Sequence, residues 1–179
     1  MAGPAYYPPA NRTAQWFGDS HPGTAYPAVE KVVLHSTETT GWPGYDGGAS
    51  APHLTVMGDF DRKRLIWRQH FHLLRNSRAL RNESGGVQTN LDGAVQVEIV
   101  GTCDRSFAAR YPSAAKTPHL TTWNLPGWVI EGLADFLAWM HDEHGVPFTV
   151  PALWPAYPSS PTLDKQVRMS GTEWNAFRG

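Results

Sequence analysis

The chain is poor in cysteine and in charge. Cys103 is the single cysteine among 179 residues, which excludes an internal disulfide framework and a thiolate metal cage. Charged residues make up 17% of the chain and the net charge is −1, so neither a disordered polyelectrolyte nor a general nucleic-acid binder is expected. No apolar run approaches the ~20 residues that a membrane span needs. The amino terminus lacks the basic start and apolar run of a signal peptide, so none is predicted.

Several motifs of well-known enzyme classes are also missing. There is no G-x-S-x-G elbow, no glycine loop for phosphate and no dinucleotide fingerprint. Cys103 has no histidine close to it in sequence, so we interpret it as a small apolar residue and not as a nucleophile. His35 and Glu38 could be read as a metallocarboxypeptidase pair. Residues three apart on a strand point to opposite faces, however, and this disfavours that hypothesis.

Glycine and proline are frequent, with 17 and 15 residues, and indicate a domain with long loops. Residues 1–28 are expected to form an irregular arm anchored by Trp16 and Phe17. Residues 29–179 are expected to form one domain. The eight tryptophans suit a groove for carbohydrate or peptide, and they suit a hydrophobic core equally well.

Hydrophobic periodicity predicts four strands followed by one long helix. The order of strands before helix favours an α/β or α+β sheet domain. The helix is expected to pack a stripe of four residues, Ile130, Leu133, Leu137 and Met140, against the sheet. The predicted strands lie at 31–36, 52–57, 63–69 and 93–100, the helix at 127–144, and a short final helix at 172–178.

Two residues are the best candidates for chemistry. His35 ends a buried strand just before the glycine-rich loop 37–51, where it is either a ligand or a core histidine. Glu98 lies inside an apolar alternating strand, so it is either exposed or held in a cleft that raises its pKa for acid–base work. His53 would share a face with His35 if their two strands pair.

Other polar groups have simpler interpretations. His70 and His72 could form a zinc pair, but solvent-facing positions on a strand are the favoured interpretation. His141 and His144 suit the negative end of the helix dipole without any metal. The basic segment 62–81 is expected to be solvated surface, the alternative being a rim that attracts an anionic polymer.

Three segments, taken in order, resemble one family. They are Val32–Glu38 (VVLHSTE), Ser50–Val56 (SAPHLTV) and Ala94–Asp104 (AVQVEIVGTCD). Together they resemble the type 2 N-acetylmuramoyl-L-alanine amidases, whose domain is shared with the peptidoglycan recognition proteins. Residues 75–90 make the likeness strongest to the amidase modules of endolysins from phages of actinobacteria.

The resemblance implies an α/β fold with a mixed β-sheet flanked by α-helices and one Zn²⁺ in a groove. It implies that His35 is a zinc ligand and that Glu98 is the catalytic acid–base. Within that groove we expect His53 and Trp42 to bind substrate. The tyrosine that some members carry before the second-strand histidine is Pro52 here.

The resemblance also implies further zinc ligands after the long helix, and this chain departs from that pattern. No histidine follows His144, and the carboxylates beyond it are Asp164 and Glu173. We therefore expect a C-terminally truncated amidase-like domain that binds zinc weakly and cleaves slowly, the alternative being a non-catalytic peptidoglycan-binding module. Its expected partner is bacterial peptidoglycan, without nucleic acid or membrane. We expect a monomer in the host bacterial cytoplasm that is released to the cell wall at lysis.

Overall fold

The computed structural model describes residues 3–79, 87–91, 93–110, 118–150 and 170–176. Asp164, residues 80–86 and the end of the predicted final helix at 177–178 lie outside these residues. The strands are β1 (Lys31–Ser36), β2 (Leu54–Asp59), β3 (Arg64–Gln69), β4 (Ala94–Ile99), β5 (Gly101–Thr102) and β6 (Leu120–Thr121). The helices are α1 (Arg105–Arg110), α2 (Gly127–His144) and α3 (Gly171–Asn175).

The main sheet has four strands in the order β1-β4-β2-β3. Strand β4 runs parallel to both β1 and β2, while β3 is antiparallel to β2. The predicted hairpin between β2 and β3 is confirmed, although β2 begins at Leu54, two residues later than predicted. A mixed sheet with helices is an α/β architecture, so the predicted fold class is confirmed at that level. The short parallel pair β5–β6 lies outside the main sheet.

The two faces of the main sheet differ in chemistry because side chains alternate along each strand. On one face of β4, Val95, Val97 and Ile99 join the hydrophobic core. Helix α2 covers this apolar face, where the rings of Trp67 and Phe136 lie 4.9 Å apart. The opposite face carries polar side chains and is described below.

Helix α2 begins at Gly127 and ends at His144, as predicted. Gly145 follows it in the left-handed conformation, with φ of 72°, and its N–H bonds the carbonyl of His141. The predicted packing stripe is wrong at Ile130, which is 55% exposed. Val129 is buried in its place, because a shift of one residue rotates the helix face by about 100°. The buried stripe is Val129, Leu133, Phe136 and Met140.

The arm formed by residues 3–28 packs into the same core as the sheet. The ring of Tyr7 is buried, and it contacts the rings of Trp67, Phe136 and Trp139 edge-on or tilted. The buried amide of Gln69 accepts from the Tyr7 N–H and donates to the carbonyls of Ala5 and Phe71. Tyr7 is therefore a stronger anchor than the predicted Trp16, which is only partly buried.

Helix α3 begins one residue earlier than predicted. The side chain of Ser170 accepts from the backbone N–H of Glu173, and Glu173 bonds the Ser170 N–H in return. This capping box satisfies backbone donors that a short helix would otherwise leave unpaired. In the part of the chain that the structure describes, no helix is long and apolar enough to cross a membrane.

Leu133 and Ile130 test the packing of α2, because they differ in burial on the same helix. Replacing the buried Leu133 by alanine is expected to lower the free energy of unfolding by about 2–5 kcal/mol through lost burial and a cavity. The matched variant Ile130→Ala, on the exposed side, is expected to change it by less than about 0.5 kcal/mol. Denaturant titrations of both variants check this. Equal effects would contradict the observed orientation of the helix.

Candidate functional site

Four polar residues form one row across the main sheet. His35 of β1 is the direct partner of Glu98 of β4, and Glu98 is the partner of Thr55 of β2. Thr55 is in turn the partner of Arg68 of β3. Directly paired residues point to the same face, and neighbouring strands lie about 4.8 Å apart. The prediction that His35 and Glu98 lie on neighbouring strands and share a face is confirmed. We call the four paired residues, His35, Glu98, Thr55 and Arg68, the polar row.

A cavity of about 430 Å³ adjoins the polar row on the same face of the sheet. Met57 and Ile66, which pair with each other, line it. Met57 lies two residues after Thr55 and Ile66 two residues before Arg68, so both share the face of the polar row. Thr40 of the glycine-rich loop and Val100 after β4 also contribute to its wall. The cavity and the polar row therefore lie on the same face of the sheet, although the cavity is lined by other residues than the four of the row.

Glu98 is only partly buried, yet its surroundings favour the protonated carboxyl. Burial raises its pKa to about 7, a value in which a hydrogen donated by Tyr45 to the ionised carboxylate offsets part of the rise. The Tyr45 hydroxyl lies 2.8 Å from Oε2 of Glu98. Among the described residues, Oε1 has no hydrogen-bond partner. A carboxyl that titrates near neutral pH and has one oxygen available can both accept and donate a proton.

Tyr45 reaches Glu98 from the glycine-rich loop through an uncommon backbone conformation. Tyr45 and Asp46 have φ values of 56° and 49°, in the left-handed region that non-glycine residues rarely adopt. The Tyr45 side chain is buried, and its ring lies edge-on to His70 at 5.3 Å. Burial, together with the nearby Glu98, raises the pKa of Tyr45 well above its ordinary value, so its hydroxyl keeps its proton.

His35 is held in one tautomer by Gln96. The Gln96 side-chain N–H donates to the carbonyl of Thr89, which turns Oε1 of Gln96 towards His35. His35 therefore donates from Nε2 and keeps its lone pair on Nδ1. Burial lowers the pKa of His35, and the hydrogen bond to Gln96 partly opposes that shift, so the ring is neutral at pH 7.

His53 is fully buried, and both of its ring nitrogens bond backbone groups. Nδ1 accepts from the N–H of Gln96 at 3.0 Å, and Nε2 lies 2.6 Å from the carbonyl of Arg75 and donates to it. Burial lowers the pKa of His53 to about 4. This geometry favours a positioning role for His53 over the substrate contact predicted for it, because neither nitrogen is open to a ligand.

Trp42 packs against Arg68, the last residue of the polar row. The Arg68 guanidinium lies 3.9 Å above the Trp42 ring, and it donates to Oε1 of Gln15 at 2.8 Å. Gln15 also donates to the carbonyl of Pro43, which ties the arm to the glycine-rich loop. Among the described residues, no carboxylate pairs with Arg68. The predicted substrate residue Trp42 is thus placed next to a partly buried positive charge.

Two other interpretations of the sequence can now be compared with the structure. His70 was expected to face solvent, but β3 ends at Gln69 and His70 is fully buried beneath the arm, so that expectation is wrong. The hypothesis of a metal-binding pair of His35 and Glu38 gains no support, because the Glu38 carboxylate accepts hydrogen bonds from Ser36, Thr102 and the N–H of Cys103.

Zinc does not fit the residues that the structure describes. No three side chains of the His, Cys, Asp and Glu types come together there as a metal site. His35 offers one nitrogen, Nδ1, while the ring nitrogens of His53 are used by backbone groups. A catalytic zinc needs about three protein ligands, so the predicted role of His35 as a zinc ligand has no supporting ligand set in the described ranges.

Sequence reasoning missed Tyr45, Gln96 and Arg68 as site residues. Arg68 and Thr55 could have been found by extending the strand register from Glu98 across the sheet. Tyr45 gives no such signal, because its position depends on the path of an irregular loop.

His53 and His70 should make the fold sensitive to acid. Burial lowers the pKa of each from 6.5 to about 4, so between those pH values the unfolded chain binds protons that the folded chain does not. We expect the free energy of unfolding to fall as the pH drops from 6.5 to 4, by up to about 1.4 kcal/mol per pH unit for each histidine. Glu98 acts in the opposite direction between pH 4.5 and 7, because its pKa is raised to about 7.

Denaturant titrations at several pH values check this expectation. His70→Phe should make the dependence on pH shallower, and Glu98→Gln should make it steeper below pH 7. A stability that is flat from pH 6.5 to 4 in the wild type and in the Glu98→Gln variant would contradict the assignment of two neutral buried histidines.

Comparison of the chain with protein-family models, with curated proteins and with solved structures gives no match. A function is therefore argued from the polar row and its surroundings, together with the sequence resemblance.

Proposed function

We propose that the chain is a peptidoglycan hydrolase that cleaves the amide between N-acetylmuramic acid and L-alanine. The observation that carries this proposal is Glu98, a half-buried carboxyl with a pKa of about 7 on the polar face of the sheet, which also borders a cavity. The resemblance of three segments to the type 2 amidases supplies the substrate class. We include in the same proposal that the α/β fold of this chain is the fold of the type 2 amidases.

Glu98 is the residue that moves the proton. In its ionised form, Oε1 takes a proton from water while the water oxygen bonds to the lactyl carbonyl carbon. The protonated carboxyl then donates to the nitrogen of L-alanine as the C–N bond breaks, which returns Glu98 to the ionised form. A pKa near the working pH makes both forms accessible, as general acid–base catalysis requires.

Arg68 and Trp42 are the residues proposed to bind the peptide stem. Stem peptides carry carboxylates, and a guanidinium presents a planar fork that can bind a carboxylate with two hydrogen bonds. Arg68 is already partly desolvated and held in place by the Trp42 ring and Gln15. A pre-positioned cation of this kind loses little side-chain entropy when it binds an anion.

A second candidate function is a non-catalytic module that binds the same glycopeptide. It is favoured by one observation, which is that no three-ligand metal cluster lies among the described residues. Arg68 and Trp42 would serve binding equally well in that case. The two functions differ in whether any amide bond is broken and in whether Glu98 matters for more than affinity.

Cell-wall digestion with matched glutamate variants separates these functions. Purified peptidoglycan is incubated with the full chain, and new amino termini are quantified together with the metal content of the protein. A hydrolase should release L-alanine amino termini, and Glu98→Gln should lower the rate about 10²–10⁴-fold by removing proton transfer. The control Glu131→Gln changes an exposed carboxylate on α2 and should keep the wild-type rate.

Release of no amino termini, with retention of wall binding, would reject the hydrolase and favour the binding module. Cleavage that is unaffected by Glu98→Gln would reject the assignment of Glu98 as the proton carrier.

Arg68→Gln tests the anion site under either function. Loss of one charge-assisted pair to a stem carboxylate is expected to weaken binding of soluble muropeptides about 10-fold or more. Arg105→Gln is the control, because Arg105 also stacks on a tryptophan, Trp123, but lies outside the polar row. Calorimetric titration with muropeptides whose stem carboxylates are free or amidated measures the effect. Equal affinity of Arg68→Gln and wild type for the free carboxylate form would contradict the role of Arg68.

A further inference from the structure

A continuous chain of four hydrogen bonds runs from Glu98 into the protein interior. The Tyr45 hydroxyl contacts Glu98 at one end, and a carbonyl of the arm closes the other end. The distances are 2.8 Å from Oε2 of Glu98 to Oη of Tyr45, 2.6 Å from there to Oγ1 of Thr55, 2.9 Å to Nε2 of His70, and 2.7 Å from Nδ1 of His70 to the carbonyl oxygen of Gln15.

The direction of every bond follows from the fixed acceptor at the end of the chain. The carbonyl of Gln15 can only accept, so Nδ1 of His70 must carry a hydrogen. His70 is fully buried, which disfavours the charged ring, and burial lowers its pKa to about 4. With His70 neutral, Nε2 has to accept, and the Thr55 hydroxyl has to donate to it.

The same assignment of donors and acceptors continues from Thr55 towards Glu98. Because Thr55 gives its only hydroxyl hydrogen to His70, the Tyr45 hydroxyl must donate to Thr55. Tyr45 then has no hydrogen left for Glu98 and can only accept from it. All four contacts therefore contain a hydrogen only when Glu98 is protonated on Oε2.

Ionised Glu98 breaks this pattern. If Tyr45 turns its hydrogen to the carboxylate, one of the two contacts further along the chain loses its hydrogen. Two lone pairs then face each other in a buried setting, which costs free energy. The alternative is a second proton on His70, and burial opposes that charge.

We propose that Tyr45, Thr55 and His70 are positioning residues that hold the proton on Glu98 through this chain. The use of that proton in catalysis rests on the proposed function, whereas the chain itself does not. Ionisation of Glu98 leaves one contact among Tyr45, Thr55 and His70 without a hydrogen. Glu98 therefore becomes available as a base only at a pH high enough to offset the free energy lost with that hydrogen bond. Cutting the chain frees the Tyr45 hydroxyl to stabilise the carboxylate and so lowers that pH.

The other ionisable groups on this face act equally on all the variants proposed below. They are His35 from β1, His53 from the segment before β2, and Arg68 from β3. Among the described residues, no hydrogen bond joins any of them to Glu98. Neutral His35 and His53 add no charge, and Arg68 favours the carboxylate in every variant.

The test is a titration of the Glu98 carboxyl carbon by ¹³C NMR in the full chain, without substrate or added metal. Glu98→Gln identifies the signal. Thr55→Val removes the middle hydroxyl, and Thr55→Ser keeps it as the conservative control. We expect wild type and Thr55→Ser to share a midpoint well above the ordinary range of glutamate, and Thr55→Val to titrate at least one pH unit lower, a tenfold change in proton affinity.

His70→Phe is the second variant, in case Thr55→Val does not fold. The aromatic ring can keep the stacking of His70 on Phe17 at 5.6 Å, while the acceptor that fixes the direction of the chain is lost. Thr55 can then donate to Tyr45 and Tyr45 to the carboxylate, so the midpoint should again fall by at least one unit. A midpoint that stays or rises in the folded variants would overturn the proposal.

Failure of this proposal and failure of the proposed function are distinguishable. The NMR midpoint needs no cleavage, so a lowered midpoint without wall digestion rejects only the hydrolase. Wall digestion with an unchanged midpoint rejects only the chain as the holder of the proton.

Discussion

The parallel pairing of β1 with β4 is the constraint on which the site depends. This register puts His35 opposite Glu98 and leaves Val95, Val97 and Ile99 on the other face, against the core. A slip of one residue would exchange the faces and bury Glu98 in the core under α2. The hydrophobic pattern of β4 therefore fixes the position of the carboxyl as firmly as it fixes the core.

On the polar face of the sheet, buried polar groups set the orientation of the histidine and arginine side chains. Gln96 fixes the tautomer of His35 with its side-chain oxygen and the ring of His53 with its backbone N–H. The arm completes the site, because Gln15 holds Arg68 with its side chain and His70 with its carbonyl. Paired donors and acceptors leave few alternative arrangements, so the carboxyl of Glu98 is held in a defined setting.

The regular elements could be predicted from the sequence, while the residues around Glu98 could not. Strand β1 and helix α2 follow from β-branched and helical periodicity, and they occur with the predicted bounds. Ile130 was misplaced because a periodic stripe on this apolar helix is ambiguous by one residue. His70 was misplaced because the arm that buries it pairs with β3 through irregular backbone, which no periodicity reveals.

Tyr45 shows most clearly where sequence reasoning ends. Its contact with Glu98 depends on left-handed backbone at two successive non-glycine residues, Tyr45 and Asp46, which no local preference predicts. Some members of the family that the sequence resembles carry a tyrosine directly before the histidine at the position of His53. This chain has Pro52 at that position. The structure brings a tyrosine hydroxyl to the carboxyl by another route, from the loop that follows β1.

The function proposed for the chain is hydrolysis of the bond between muramic acid and the peptide stem, with Glu98 as the proton carrier. Digestion of purified peptidoglycan in ¹⁸O-labelled water, followed by mass spectrometry of the products, tests it most directly. The proposed hydrolysis should place one ¹⁸O atom in the lactyl carboxylate of muramic acid and release unlabelled peptides that begin with L-alanine. Label in a peptide carboxylate, label at a glycosidic position, or no labelled product from intact protein that binds the walls would contradict it.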